Sequence, residues 1–83
     1  MVEEQVGVVD EYFARVGVVG IALSAPLRVG DVIHVKGHTT DFQQAVESMQ
    51  VEHGSLTEAG PGVSVGVKVR ERCRLGDLVY KIT

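Results

Sequence analysis

The chain has 83 residues, of which 45% are hydrophobic and 23% charged, and its formal net charge is −3. This composition is typical of one folded domain and excludes a disordered chain, and the negative charge argues against strong non-specific binding to nucleic acid. No apolar run approaches the roughly 20 residues that a membrane-spanning helix needs. One cysteine, Cys73, and an acidic start without a secretory signal predict a cytoplasmic protein, either complete or an excised domain, with residues 1–83 as a single unit.

The first two predicted strands lie at Gln5–Phe13 and Val16–Leu23. Both are rich in valine, which favours strands. Gly7 interrupts the alternation of the first strand, so we expect a bulge or a close backbone approach there. The short Ala14–Arg15 segment between them suits a hairpin connection.

A four-residue pattern then occurs twice: basic, aliphatic, Gly, Asp, followed by a strand. Its two copies contain Gly30-Asp31 and Gly76-Asp77. Glycine adopts positive φ without steric cost, and Asp can hydrogen-bond nearby backbone, so we predict that these four residues form structural turns.

The residue before each glycine, Val29 or Leu75, is expected to close the core. In the strand after the first turn, alternation predicts that Ile33 and Val35 face inward and that His34 faces outward.

The segment Asp41–Glu52 has two interpretations. Phe42, Val46 and Met49 are spaced i, i+4, i+7, which suits a short amphipathic helix. A long, bulged strand would bring the same residues to the core. The local pattern leaves both open.

The regular strand of the chain follows the turn Ala59–Gly62, where valine alternates with polar or small residues from Val63 to Arg70. A last strand is predicted at Leu78–Ile82. Five clear strands and one debatable one are too few for a large sandwich, and a closed barrel would remove exposed edges. We therefore predict an all-β fold, a small closed barrel.

Several short motifs fall in the order seen in the second domain of translational GTPases such as elongation factor Tu: Leu27–Asp31, Met49 after Val46, Ala59–Val67 and Leu75–Val79. The segment Lys36–Phe42 resembles a signature of the stand-alone translation elongation factor-like proteins. A related barrel is also attached to the collagenase-like peptidases, some of which act in RNA modification. The chain is thus similar to the small elongation factor-like proteins over nearly its whole length.

This resemblance implies a six-stranded Greek-key barrel, with Asp41–Glu52 as a bulged strand. In elongation factor Tu this domain helps to hold the acceptor end of aminoacyl-tRNA, so the resemblance implies contact with tRNA, other RNA or a ribonucleoprotein. The chain has no Gly-x4-Gly-Lys-Ser/Thr loop, and we therefore expect no GTP binding by this chain alone. None of the family's RNA-binding residues can be carried over.

Four cations stand at every second position: Lys68, Arg70, Arg72 and Arg74. In an extended segment they would lie on one side, about 6.5–7 Å apart, which approaches the spacing of phosphates along a nucleic-acid strand. They are our first candidate binding site for nucleic acid or another partner. The alternative, which we favour, is the solvated outer face of a strand.

The second candidate is the polar turn that contains Lys36 and His38. A turn on a rigid scaffold is a good place for recognition. Local hydrogen bonding by Asp41 and the neighbouring threonines explains the same residues, and we favour it.

No metal or cofactor is predicted, because His34, His38 and His53 lack the spacing or the Cys and carboxylate partners of a metal site. Alternation places Cys73 on the inner side with the valines that precede it, as a small core residue rather than a nucleophile.

These observations predict a non-catalytic binding module that is related to translation or RNA. The alternative is a protein–protein interaction module that docks on a larger enzyme or factor without contacting nucleic acid. An enzyme is the class that the sequence favours least.

Overall fold

A computed structural model describes residues 2–52 and 54–83 of the chain. The described residues form strands and turns, and no helix occurs among them that could span a membrane. The strands are β1 Glu3–Phe13, β2 Val18–Leu23, β3 Leu27–Arg28, β4 Val32–Lys36, β5 Asp41–Ala45, β6 Met49–Val51, β7 Gly54–Leu56, β8 Glu58–Ala59, β9 Ser64–Lys68 and β10 Leu78–Ile82.

The strands pair into an antiparallel sheet with the order β5-β4-β10-β1-β2-β9-β6-β7, and a second, two-stranded sheet pairs β3 with β8. Strand β1 is central and bends, because its register shifts between Gln5 and Gly7 against β10 and between Val9 and Glu11 against β2. A Cβ atom at Gly7 would lie 2.6 Å from the Ile21 side chain. The predicted bulge and close approach at Gly7 are therefore confirmed.

The all-β class is confirmed, but the closed six-stranded barrel is wrong. Among the described residues, β5 and β7 are the two ends of the larger sheet. The edge of β6 that faces away from β9 cannot pair with β5, because β7 already pairs with it and places Leu56 opposite Met49. The turn that reverses the chain there includes Glu52, whose φ is 53°. The sheet consequently stays open between β5 and the β9–β6 side.

A side chain joins the two sides that backbone pairing leaves apart. The buried Gln44 of β5 donates a hydrogen bond from Nε2 to the Lys68 carbonyl oxygen (2.8 Å), and its Oε1 accepts one from the Arg70 N–H (2.9 Å). These bonds satisfy a donor and an acceptor at the end of β9 that a strand neighbour would otherwise pair.

The segment Asp41–Glu52 contains no helix. It is extended but divided into β5 and β6, which pair with different neighbours. Between them Val46 forms backbone hydrogen bonds with Asp31 and Gly30 at the first Gly-Asp turn. Phe42, Val46 and Met49 therefore have a helix-like spacing because Val46 lies in an irregular connection between strands β5 and β6.

The core is formed mainly by aliphatic side chains, and it lies against the inner face of the curved sheet. It consists of Val6, Val9, Val19, Ile21, Leu23, Leu27, Ile33, Val35, Phe42, Val46, Met49, Val65, Val67, Val69, Cys73 and Val79. The predicted inward positions of Ile33, Val35 and Cys73 are confirmed.

Two predicted side-chain positions are wrong. Val29 and Leu75 do not close the core, because each occupies the outer corner of a turn and projects into solvent, with 40% and 68% of its surface exposed. His34 lies on the outer face of the sheet, as predicted, but it is only 7% exposed. Side chains from β1 and β5 cover it there.

The two Gly-Asp turns have the same geometry. Gly30 and Gly76 have φ of 100° and 92°, at the third position of a four-residue turn, where a type II turn requires positive φ. In each turn the Asp N–H donates to the carbonyl oxygen of the Arg three residues earlier (3.1 Å both). The Asp carboxylate accepts in return from the Arg N–H, at 2.9 Å for Asp31 and 2.8 Å for Asp77.

Candidate interaction surfaces

The basic segment Lys68–Arg74 leaves the regular sheet after its first residue. Strand β9 ends at Lys68, and the chain bends at Arg70 and Glu71. All four cations are exposed, and none of them forms an ion pair with another described residue. Because the chain bends, the four cations do not form the regular ladder with the spacing of a strand that the sequence suggested.

The structure brings this segment next to the turn that carries Lys36 and His38. The contact is made by Asp77, which is 5% exposed. Its Oδ2 accepts from the Arg74 N–H, and its carboxylate packs so closely on Gly37 that a Cβ atom there would overlap it. Lys36 and His38 are exposed on the β4–β5 turn. The backbones of the two candidate segments therefore meet at Asp77.

A buried histidine, His34, lies between two carboxylates. His34 Nδ1 lies 3.0 Å from Glu3 Oε1, and Nε2 lies 2.5 Å from Asp41 Oδ1. Both ring nitrogens donate only when the imidazole is protonated, and two carboxylates accept those protons. Asp41 thus bonds to His34 across the strand pair rather than within the β4–β5 turn.

The surroundings of His34 favour its charged form. The hydrogen bond to Asp41 raises the pKa of His34 above its ordinary value, and the hydrogen bond and charge of Glu3 act in the same direction. Burial opposes them by disfavouring the imidazolium. The cluster links β1, β4 and β5, and so ties one end strand of the sheet to the central strand.

The described residues hold no group of three or more His, Cys, Asp or Glu side chains arranged for a metal ion. His53, one of the histidines considered in the sequence, lies outside the described residues. Burial raises the pKa of the Cys73 thiol to about 11, with smaller contributions from the charges of Asp77 and Glu71. Cys73 is therefore held as a thiol at neutral pH.

An open groove of about 440 Å³ crosses the outer face of β1, β2, β9 and β6. One wall is apolar, with Phe13, Val16 and Val18 around the β1–β2 turn. The other walls carry acidic side chains and neighbouring polar groups. The described lining residues are Asp10, Glu11, Phe13, Val16, Val18, Gly20, Gln50, Val51, Glu52, Ser64, Val65 and Gly66. No Lys or Arg is among them.

The floor of the groove is made by two glycines that pair across β2 and β9, Gly20 and Gly66. A Cβ atom at Gly20 would lie 2.7 Å from Asp10 Oδ1, and one at Gly66 would lie 3.3 Å from Gln50 Cγ. Asp10 is held in place by a hydrogen bond from Ser64 Oγ, at 2.8 Å. The absence of side chains at both positions lets Asp10 and Gln50 lie close to the sheet, and a larger residue at Gly20 would displace the Asp10 carboxylate.

No local motif in the sequence marks this groove. Its residues come from three segments that are distant in the chain, 10–20, 50–52 and 64–66. One signal was available: Phe13 and Val16 flank a tight turn, where exposed apolar residues are unusual.

No family model matches the chain. An uncharacterized protease of Methanocaldococcus jannaschii is 38% identical over 77 residues, which are 92% of this chain and 19% of that protein. A collagenase of Porphyromonas gingivalis is 33% identical over 73 residues, 86% of this chain and 20% of the collagenase. The chain thus spans about a fifth of the length of these curated relatives.

A solved structure matches the whole fold. It is the C-terminal domain of a Geobacillus thermoleovorans protein assigned to the U32 peptidases, with a TM-score of 0.90 and 25% sequence identity over 96% of this chain and 93% of that domain. The chain is similar to a U32 peptidase C-terminal domain. These matches support the relation to the domain that is attached to collagenase-like peptidases.

The resemblance to translation elongation factor-like proteins is therefore wrong, and so is the expectation of RNA binding that it carried. The relatives and the structural match are peptidase proteins and not translation factors. The motifs behind that resemblance are Gly-Asp turns and alternating valine strands. They describe the backbone of a small antiparallel domain, and a fold does not by itself specify a function.

Proposed function

We propose that this chain is a non-catalytic protein-interaction module of the type attached to U32 peptidases, and that it docks on a peptidase catalytic domain or a protein bound to it. The observation that carries this proposal is the match over the whole fold to a U32 peptidase C-terminal domain. The curated relatives contain about four fifths of their length outside the matched segment, which is ample for a separate catalytic domain.

The polar groups of the chain support a binding role over a catalytic one. Both nitrogens of His34 are occupied by carboxylates, so the ring has no free nitrogen to act as a base toward a substrate. Cys73 is buried, and its raised pKa disfavours the thiolate that a nucleophile needs. The core itself is filled by aliphatic side chains.

Amide hydrogen exchange can test the docking directly. The chain would replace the matched 77-residue segment of the Methanocaldococcus protease, at 38% identity. We expect a contiguous set of surface amides to exchange about tenfold or more slowly in this chimaera than in the isolated chain, because docking removes them from water.

The control joins the chain through the same linker to an unrelated folded protein. There the surface amides should exchange as in the isolated chain. If the two fusions give the same exchange pattern, docking on the peptidase is refuted.

A further inference from the structure

The groove on the outer face of β1, β2, β9 and β6 carries the exposed apolar surface that docking requires. Phe13 and Val16, at one end of it, are 48% and 58% exposed, although both are large apolar side chains. Beside them the backbone of Gly20 and Gly66 forms the floor, which the Asp10 and Gln50 side chains approach closely. The volume of about 440 Å³ lies within the roughly 300–1,000 Å³ that is usual for ligand pockets.

The charges around the groove have one sign. Asp10, Glu11 and Glu52 line it, and none of the three forms an ion pair within the described part of the chain. Asp10 is fixed by Ser64, so its carboxylate is held over the floor rather than free to turn away. A partner that brings a cation meets a positioned carboxylate and does not have to order it on binding.

We infer that this groove binds an extended protein segment that carries a Lys or Arg next to an apolar side chain. The apolar side chain packs against Phe13 and Val16, and the cation lies between Asp10 and Glu52. An acidic or phosphorylated segment, or a nucleic acid, would be repelled by the same three carboxylates. The inference rests on the proposed interaction role and names its surface and the chemistry of its partner.

The test is a selection of 12-residue peptides from a random phage-displayed library on the immobilised chain. We expect the selected peptides to be enriched in Lys or Arg next to Leu, Ile, Val or Phe. Nuclear magnetic resonance spectra of the nitrogen-15-labelled chain with one selected peptide should show the largest amide shifts at Gly20 and Gly66.

Two matched sets of variants separate this groove from the general negative charge. Asp10→Asn, Glu11→Gln and Glu52→Gln together should weaken peptide binding by about tenfold, since they remove three favourable charges. Glu47→Gln, Glu58→Gln and Glu71→Gln remove the same charge from exposed positions outside the groove and should weaken binding by less than about twofold.

A second pair of variants tests the apolar contact. Phe13→Ser should weaken binding by about tenfold, and Leu75→Ser, which changes another exposed apolar residue, should leave it unchanged.

The inference is overturned if the selection is empty, if the selected peptides lack basic residues, or if they bind the groove variants as tightly as the original chain. Dimerisation of the chain that the groove variants abolish would also overturn it, since the occupant would then be a second copy. The peptide experiment does not involve a peptidase. If the chimaera shows protection outside the groove and the peptides fail, the docking role stands and the groove assignment falls.

Discussion

Raising the pH through the neutral range should weaken the fold through one histidine. His34 donates to Glu3 and Asp41 at once only when protonated, and these contacts raise its pKa above the ordinary 6.5. The folded protein therefore holds this proton more tightly than the unfolded chain does. The resulting stabilisation is fully present below about pH 6.5 and is lost as the pH rises through the higher pKa of the folded state.

The size of the effect follows from the exposure of the partners. A buried hydrogen bond to a charged group contributes roughly 1.5–3 kcal/mol, but the side chains of Glu3 and Asp41 are 40% and 68% exposed. Solvent screening reduces such contacts to about 0.5–1 kcal/mol each. We expect the free energy of unfolding to fall by about 1–2 kcal/mol when the imidazolium is lost.

Urea unfolding between about pH 5 and pH 9 measures this change, followed by circular dichroism. The perturbed protein is His34→Gln, and the matched control is His38→Gln, because His38 is an exposed histidine on the neighbouring turn. The original chain and the control should lose the stated free energy as the pH rises, and His34→Gln should lose much less of it. Equal pH dependence in all three proteins would refute the reasoning.

Three further predictions concern single positions. Gly30→Ala should lower the free energy of unfolding by about 1–2 kcal/mol, because φ is 100° at this position. Gly60→Ala, at an open site without positive φ, should not destabilise the protein, and equal effects of the two variants in urea unfolding would contradict this reasoning. Gln44→Leu should cost about 2–4 kcal/mol by leaving two backbone groups unpaired, and an unchanged Tm would exclude that role. Cys73 should react with iodoacetamide about a hundredfold more slowly in the folded than in the urea-unfolded chain at pH 8, since burial raises its pKa to about 11. Comparable rates in the two states would show that the thiol is accessible.

The short sequence motifs of this chain predict its backbone structure and not its function. The Gly-Asp turns and the valine strand suggested an elongation factor-like protein, and the relatives are peptidase proteins instead. Turn and strand motifs describe how a backbone is built, and unrelated functions use the same backbone. The residues that would distinguish those functions lie on the surface, where the sequence has no periodic signal.

The sequence by itself determined the five strands β1, β2, β4, β9 and β10 and the inward positions of several core residues. Alternation over two residues is a local property, so Ile33, Val35 and Cys73 could be placed inward from the sequence alone. The bulge at Gly7 could also be predicted locally, because the glycine interrupts the alternation of its own strand, although the side chain that approaches it, Ile21, belongs to another strand.

Only the tertiary structure decided which strand edges stay open and which polar side chains become buried. Strand β7 occupies the edge of β6, so β5 is joined to the end of β9 by the side chain of Gln44 instead of by a ladder. His34 is buried because Glu3 and Asp41, from two other strands, reach over it. The acid-lined groove likewise combines four strands. Each of these features depends on competition among segments that are distant in the chain, and a periodic sequence pattern carries no information about that competition.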